Sequence, residues 1–287
     1  MIKVVCFKWE HKNGYKLASL SEIGKYSAYH VNILYKAFKH YFKTPHEFIC
    51  VTDDTKDIEC KTLPLWDKCR DLGGCFNRLY VFSKDMKDII GDRFICIDLD
   101  CAIVGSLDKL FDRQEDFVIN EYNASQTKQY YNGALFMMNA GARDHVWEEF
   151  AKDMKGNSEL MFKKKATQEL LGTDQAWISH ILGREEPLFT IEDGVIPYRL
   201  LNQNGSGKVL PSYARIINFA GRNDPSTQYF SNNWVKNYWD GNFNSEQRDI
   251  SESLKLIEDI KLETIKGSEK VGYPINLIQP KTLTEKV

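Results

Sequence analysis

A layered α/β architecture, with a mixed and mostly parallel sheet flanked by helices, is the fold class that this sequence of 287 residues predicts. Three observations predict it. Apolar runs of strand length alternate with amphipathic stretches of helix length. Residues able to contact a ligand follow or end those runs at Lys8 and Trp9, Asp53 and Asp54, Asp98 and Asp100, and Asn218, and ligands of such sheets bind beyond the carboxyl ends of strands. The hydrophobic share, 43%, is enough for a sizeable core.

Residues 2–7 (IKVVCF) form the first expected strand, which ends in Lys8 and Trp9 and a polar loop through Gly14. In 28–42 the apolar residues Val31, Leu34, Tyr35, Phe38 and Phe42 fall at spacings of three and four, which predicts an amphipathic helix stopped by Pro45. Residues 47–52 (EFICVT) predict a second strand closed by Asp53 and Asp54, and 60–65 a short third one. Gly73 and Gly74 precede an expected helix over 76–82. Further strands are expected at 94–97, 116–120, 134–139 and 215–219, and helices at 143–154 and 173–182. The three lysines 163–165 read as a solvated loop. Beyond Gly221 the character changes. Residues 229–243 (YFSNNWVKNYWDGNF) are dense in rings and asparagines and read as a lid, a packed flank or an acceptor platform. The simplest division is one domain over 1–225 and a C-terminal aromatic and helical extension over 226–287.

A net charge of −2 gives no global basic character for nonspecific nucleic-acid binding. The seven cysteines are odd in number and form no C-x-x-C pair, so neither a disulfide framework nor a zinc site is indicated. A reducing cytoplasm suits them best. No basic leader with a long apolar segment is present, and no run of about 18 apolar residues, so no transmembrane segment is expected. The absence of a G-x-G-x-x-G or Walker pattern removes the dinucleotide and P-loop classes.

The most informative stretch is 94–111, FICIDLDCAIVGSLDKLF. Asp98 and Asp100 lie between two apolar runs, and in extended backbone residues two apart point to the same side. Two such like charges repel unless protonated or bridged by a cation. Hard oxygen ligands suit Mn²⁺ or Mg²⁺, whose coordination substrate phosphates usually complete. A D-x-D triplet is also a common surface turn, and that reading stands beside the metal one.

Five pieces now fall in one order: CFNRLYVF at 75–82, the acidic stretch, YNGALFMMNAG at 131–141, GTDQAWIS at 172–179 and INFAGRNDP at 217–225. In this order they resemble family 8 glycosyltransferases, the group of glycogenin and the bacterial lipopolysaccharide galactosyl- and glucosyltransferases, over about residues 1 to 225. The resemblance implies a GT-A fold. It also implies a retaining transfer of a hexose from a nucleotide-diphosphate donor, a UDP-sugar, to a glycan, lipopolysaccharide or other hydroxyl acceptor, with Mn²⁺ or Mg²⁺. It assigns Asp98, Asp100 and Asn218 to the metal and Asp174 and Gln175 to the reacting face. It assigns Phe7, Lys8, Trp9, Arg78, Asn132, Gly133, Gly221 and Arg222 to the substrates. The departures are specific. The family's metal-binding histidine is Asn218 here, its diphosphate-contacting lysine is Asp224, and the second acid of its D-Q-[DE] segment is Ala176. An Asn amide oxygen still ligates a hard cation, and Arg222 carries a charge close to the lost lysine.

Each assignment has a plainer alternative. Arg78 would serve equally as a surface helix ion pair, Asp174 as a helix cap, and Asn132 with Gly133 as a turn before a strand. Trp9 would pack rather than stack on a base, and Asp53 with Asp54 would cap a turn rather than bind a ribose. Other functions remain in view: transfer to hydroxylated bases of DNA, nucleotidyl transfer, and a catalytically silent nucleotide-sugar-binding module. Nucleotidyl transfer would want a Gly-rich phosphate loop after the first strand, and residues 7–14 do not supply one.

Overall fold

The computed structural model describes residues 1–10, 26–122, 127–201, 209–219, 223–243 and 248–249. The chain opens with β1 (Ile2–Lys8), α1 (Ala28–Tyr41), β2 (His46–Thr52) and β3 (Lys61–Pro64). Two 3₁₀ segments follow, Asp67–Cys69 and Phe76–Phe82, then α2 (Met86–Ile89), β4 (Arg93–Ile97), β5 (Cys101–Ile103) and α3 (Asp108–Phe111). The second half contains β6 (Phe117–Glu121), β7 (Tyr131–Asn139), α4 (His145–Lys152), α5 (Met154–Ala166) and α6 (Asp174–Leu182). It ends with β8 (Leu188–Phe189), β9 (Val195–Pro197), α7 (Tyr198–Leu201), β10 (Leu210–Pro211), β11 (Ile216–Asn218), α8 (Asn233–Trp239) and β12 (Arg248–Asp249).

Seven strands form the main sheet in the order β3-β2-β1-β4-β7-β6-β8. The first four are parallel, β7 runs against both β4 and β6, and β6 is parallel to β8. The expected mixed and mostly parallel sheet is thus present. Side chains of β1 divide between the two faces, Val4 and Cys6 on one and Val5 and Phe7 on the other. That is why the first strand reads as an uninterrupted apolar run: both faces are covered. Val31, Leu34 and Phe38 of α1 cover the first face. The 3₁₀ helix Phe76–Phe82, α4 and α6 cover the second, with Phe76 stacked on Phe150 at 5.2 Å and Phe150 edge-on to Trp177. All seven thiols are free.

A smaller sheet, β5-β11-β9, sits beside the main one, with β11 antiparallel to β5 and parallel to β9. Its register sets Asn218 opposite Cys101, one residue beyond the acidic pair. A third, two-stranded sheet joins β10 and β12.

The helix expected over 76–82 is present with those bounds and is of 3₁₀ type, with Arg78 N bonded to the Cys75 carbonyl three residues back. Three local expectations are corrected. Residues 98–100 are not extended: the Cys101 N–H donates to the Asp98 carbonyl at 3.2 Å, closing a turn between β4 and β5. Lys163, Lys164 and Lys165 form the last turn of α5, a helix with only Ser158 and Met161 buried, so its apolar pattern is too thin to read. Basic charge there suits the helix C-terminus. Asn132 and Gly133 lie inside β7, not in a turn before it. In the aromatic stretch after 229, α8 is a packed flank: Trp234, Val235 and Tyr238 are buried and Tyr238 Oη donates to the Cys101 carbonyl at 3.1 Å. No helix among the described residues is long and apolar enough to cross a membrane.

Candidate active site

The acidic pair is positioned by three backbone bonds. Asp98 N–H donates to the Ala134 carbonyl of β7 at 2.9 Å, Cys101 N–H closes the turn, and Phe219 N–H donates to the Asp100 carbonyl at 2.9 Å. The last bond, together with the β5–β11 register, brings Asn218 to Asp98 and Asp100 across more than a hundred residues of sequence. Asn218 is 2% exposed, and neither Oδ1 nor Nδ2 has a hydrogen-bond partner among the described residues; Asp100 Oδ1 is likewise buried without one. Buried polar atoms are nearly always satisfied, so these orphans, on two segments that the β5–β11 pairing holds side by side, are candidates for contact with a further group.

Arg78 ties this acidic turn to α6. Its side chain is 7% exposed. Nε donates to Asp174 Oδ2 at 2.7 Å, Nη2 reaches the same oxygen, and Nη1 reaches Asp98 Oδ1. The alternative of a surface ion pair is therefore excluded for Arg78. The turn to α6 is also held through Thr173, which precedes the helix and accepts the Cys75 N–H on Oγ1 at 2.9 Å. Thr173 is thus a support that sequence reasoning missed, because its partner lies 98 positions away. Withdrawal from water pushes Asp98 up to about 6, with Asp174 adding to the rise and Arg78 opposing it. Asp100 is held well above the usual carboxylate range by burial first and by the charge of Asp98 second. The two aspartates of Arg78 hold its guanidinium firmly charged against the opposing effect of burial.

Gln175 lies on the first turn of α6 facing β7. Its Oε1 accepts the Gly133 N–H and its Nε2 donates to the Leu171 carbonyl, both at 3.3 Å. Gly172 carries φ +93° beneath it, and a Cβ there would stand 2.6 Å from Gln175 Nε2; a glycine is the residue that permits both. Asn132 Oδ1 accepts the Ala134 N–H at 2.8 Å and so shapes the start of β7. The structure thus gathers Arg78, Asp98, Asp100, Gly133, Asp174, Gln175 and Asn218 at one rim of the sheet.

The end of β1 is more self-contained. Phe7 is core, edge-on to Trp66 at 5.3 Å and to the half-buried Trp9 at 6.2 Å. Lys8 is 8% exposed, with Nζ at 3.4 Å from the Asp54 carboxylate. Asp53 Oδ2 takes the Glu10 N–H, and Asp54 Oδ1 takes that of Lys56. Asp54 thus caps its own turn, and Asp53 ties that turn to the segment after β1. Asp224 caps its own turn, accepting from Ser226 N and Thr227 N, and its charge adds to the negative field around Asp100. Gly221 and Arg222 lie outside the described residues. Tyr26 and His30 are residues that no sequence pattern marks. Burial, then Asp100 and Asp98, push the Tyr26 hydroxyl up, and its ring meets His30 edge-on at 5.1 Å.

Among the described residues, no group of three or more His, Cys, Asp and Glu side chains is placed to hold a metal. A cation here would rest on two carboxylates and the Asn218 amide. That donor set is all oxygen and suits Mn²⁺ or Mg²⁺, and the orphaned oxygens, Asn218 Oδ1 and Asp100 Oδ1, are what it would satisfy; the Asn218 Nδ2 donor would need an acceptor instead.

No protein-family model matches the sequence, and no curated protein matches it. Solved structures do. A galactosyltransferase, LgtC, in complex with donor and acceptor sugar analogues is similar with a TM-score of 0.54 at 9% identity, over 89% of this chain and 100% of that one. The glycosyltransferase GlyE of Streptococcus pneumoniae TIGR4 is similar with a TM-score of 0.54 at 11% identity, over 96% of this chain and 66% of that one. An active-site mutant of LgtC is similar with a TM-score of 0.53 at 9% identity, over 84% of this chain and 95% of that one. At this level of identity the likeness concerns the fold. The chain has the GT-A glycosyltransferase fold, as the order of its sequence pieces implied.

Proposed function

We propose that this protein is a divergent member of glycosyltransferase family 8, a retaining, metal-dependent transferase that moves a hexose from a UDP-sugar to a hydroxyl of a glycan. The observation that carries the reading is the site at the rim of a GT-A sheet: the acidic turn Asp98–Asp100, the orphaned Asn218 amide beside it, and Arg78 joining that turn to Asp174. LgtC is crystallised with donor and acceptor sugar analogues, and a donor–acceptor transfer on this fold is the corresponding chemistry here.

The reaction breaks the bond from the anomeric carbon to a phosphate oxygen and forms one to the acceptor oxygen. Asp98, Asp100 and Asn218 would hold the cation, which when bound neutralises the departing diphosphate as a Lewis acid. The sugar ring gains positive charge. Gln175, with both ends of its amide fixed, presents its oxygen to that charge without needing to reorganise. Asp174 contributes negative charge from 4% exposure, but Oδ2 is already held twice by Arg78. It is therefore a poor free nucleophile, and the arrangement favours attack from the face the diphosphate leaves. A backbone N–H pair or a helix end is not needed to explain the site.

A donor screen tests the reading. The protein is incubated with UDP-glucose, UDP-galactose and other sugar nucleotides, a mixed glycan pool, and Mn²⁺ or chelator. Metal-stimulated loss of one UDP-sugar with gain of a hexose mass on an acceptor supports it. Donor binding with no turnover in any combination would reject the enzyme and leave a silent binding module.

A further inference from the structure

Arg78 holds two acids at once with three of its five N–H donors. Nε and Nη2 lie on Asp174 Oδ2 and Nη1 on Asp98 Oδ1. Its charge is held between two carboxylates, one of them only 5% exposed. Yet Asp98 is also one of the two acids that would hold the cation. The side chain of Asp98 is 31% exposed, so its second oxygen is reachable while the first is occupied by a guanidinium.

Resting on the cation site proposed above, we infer that Arg78 is the resident counter-cation of that site. It keeps Asp98 from taking up a free divalent ion, and the ion binds only together with a nucleotide diphosphate. The physical reason is local charge balance. A dication on Asp98 would share one carboxylate with a fixed positive group, and the two cations repel. Asp100 and Asn218 alone make a sparse ligand set for a hard cation that needs six oxygens. A diphosphate brings both the missing oxygens and the negative charge that offsets Arg78. Arg78 is thus a positioning residue: it orients Asp98, couples it to Asp174, and sets the order of binding without touching the reacting carbon.

The test is direct measurement of Mn²⁺ binding by electron paramagnetic resonance on the full chain, with UDP as the nucleotide. Wild type is expected to bind free Mn²⁺ weakly and at least tenfold more tightly with saturating UDP. The double variant Arg78→Gln/Asp174→Asn removes the cation with its buried counter-ion. It is expected to bind free Mn²⁺ at least tenfold more tightly than wild type, with a smaller gain from UDP. Arg78→Lys keeps the charge and should keep free Mn²⁺ binding weak. A double variant that binds free Mn²⁺ no better than wild type overturns the inference; should it fail to fold, Arg78→Met/Asp174→Asn, which removes the same pair and leaves an apolar side chain in the buried site, answers the same question. If UDP binds but Mn²⁺ does not, in wild type and variants alike, the cation site itself is wrong and the inference falls with it.

Discussion

A Cβ added to Gly133 would stand 2.7 Å from Nη2 of Arg78. The glycine early in β7 is therefore the space into which the buried guanidinium fits. The same missing side chain leaves Gln175 Cβ at 3.3 Å and Asp174 Oδ2 at 3.4 Å from that point. Gly133→Ala must displace an arginine that two carboxylates hold. It is expected to cost about 1–3 kcal/mol of stability by overpacking and to lower donor turnover by roughly tenfold or more through a displaced Gln175. Urea unfolding and donor hydrolysis measure the two effects; a variant with wild-type kcat would show that Arg78 and Gln175 are not coupled through this contact.

Arg78→Met leaves Asp174 buried at 4% exposure without its counter-ion. Breaking one side of a buried pair costs about 3–5 kcal/mol. Removing the stranded charge as well, in Arg78→Met/Asp174→Asn, should recover much of that loss. Equal stability of the single and double variants would mean that the pair carries no buried-charge penalty.

Asp100→Ala separates function from folding. Asp100 lies beside Asp98, and its buried Oδ1 has no partner. Deleting this carboxylate removes a like-charge repulsion and an unsatisfied atom. Metal-stimulated transfer should be lost while the melting temperature is unchanged or higher. Retained Mn²⁺ stimulation would exclude Asp100 as a ligand.

His30 predicts a pH dependence of stability. Its Nδ1 takes the Ser27 N–H at 3.1 Å, its ring is edge-on to Trp239 at 4.8 Å, and burial holds its pKa below the ordinary value against the opposing charge of Asp224. A histidine kept neutral in the fold contributes fully above the unfolded pKa of about 6.5. That contribution is lost as pH falls from there toward the folded value, because the unfolded chain takes a proton that the native one refuses. His30→Asn should therefore flatten the fall in unfolding free energy between about pH 7 and the acid side. Identical slopes for variant and wild type in urea titrations would rule His30 out as the source.

The sequence by itself determined six of the seven strands of the main sheet, all but β8, with the runs at β1, β2 and β4 apolar on both faces, and the helix α1, because Val31, Leu34 and Phe38 repeat at helical spacing. It also marked Asp98 and Asp100, since carboxylates between buried runs need a reason to be there, while Asp174 and Gln175 were marked only by the resemblance of their segment. Periodicity is a local property, and these signals are local. Only the tertiary structure decided that Arg78 is buried between Asp98 and Asp174, that residues 98–100 turn rather than extend, that Asn218 meets the acidic turn through the β5–β11 register, and that Gly133 is the gap for a guanidinium. All but the turn join residues 20 or more positions apart. Their partners are chosen by sheet order, by burial and by the cost of leaving a charge unpaired, none of which is written in the spacing of neighbouring residues.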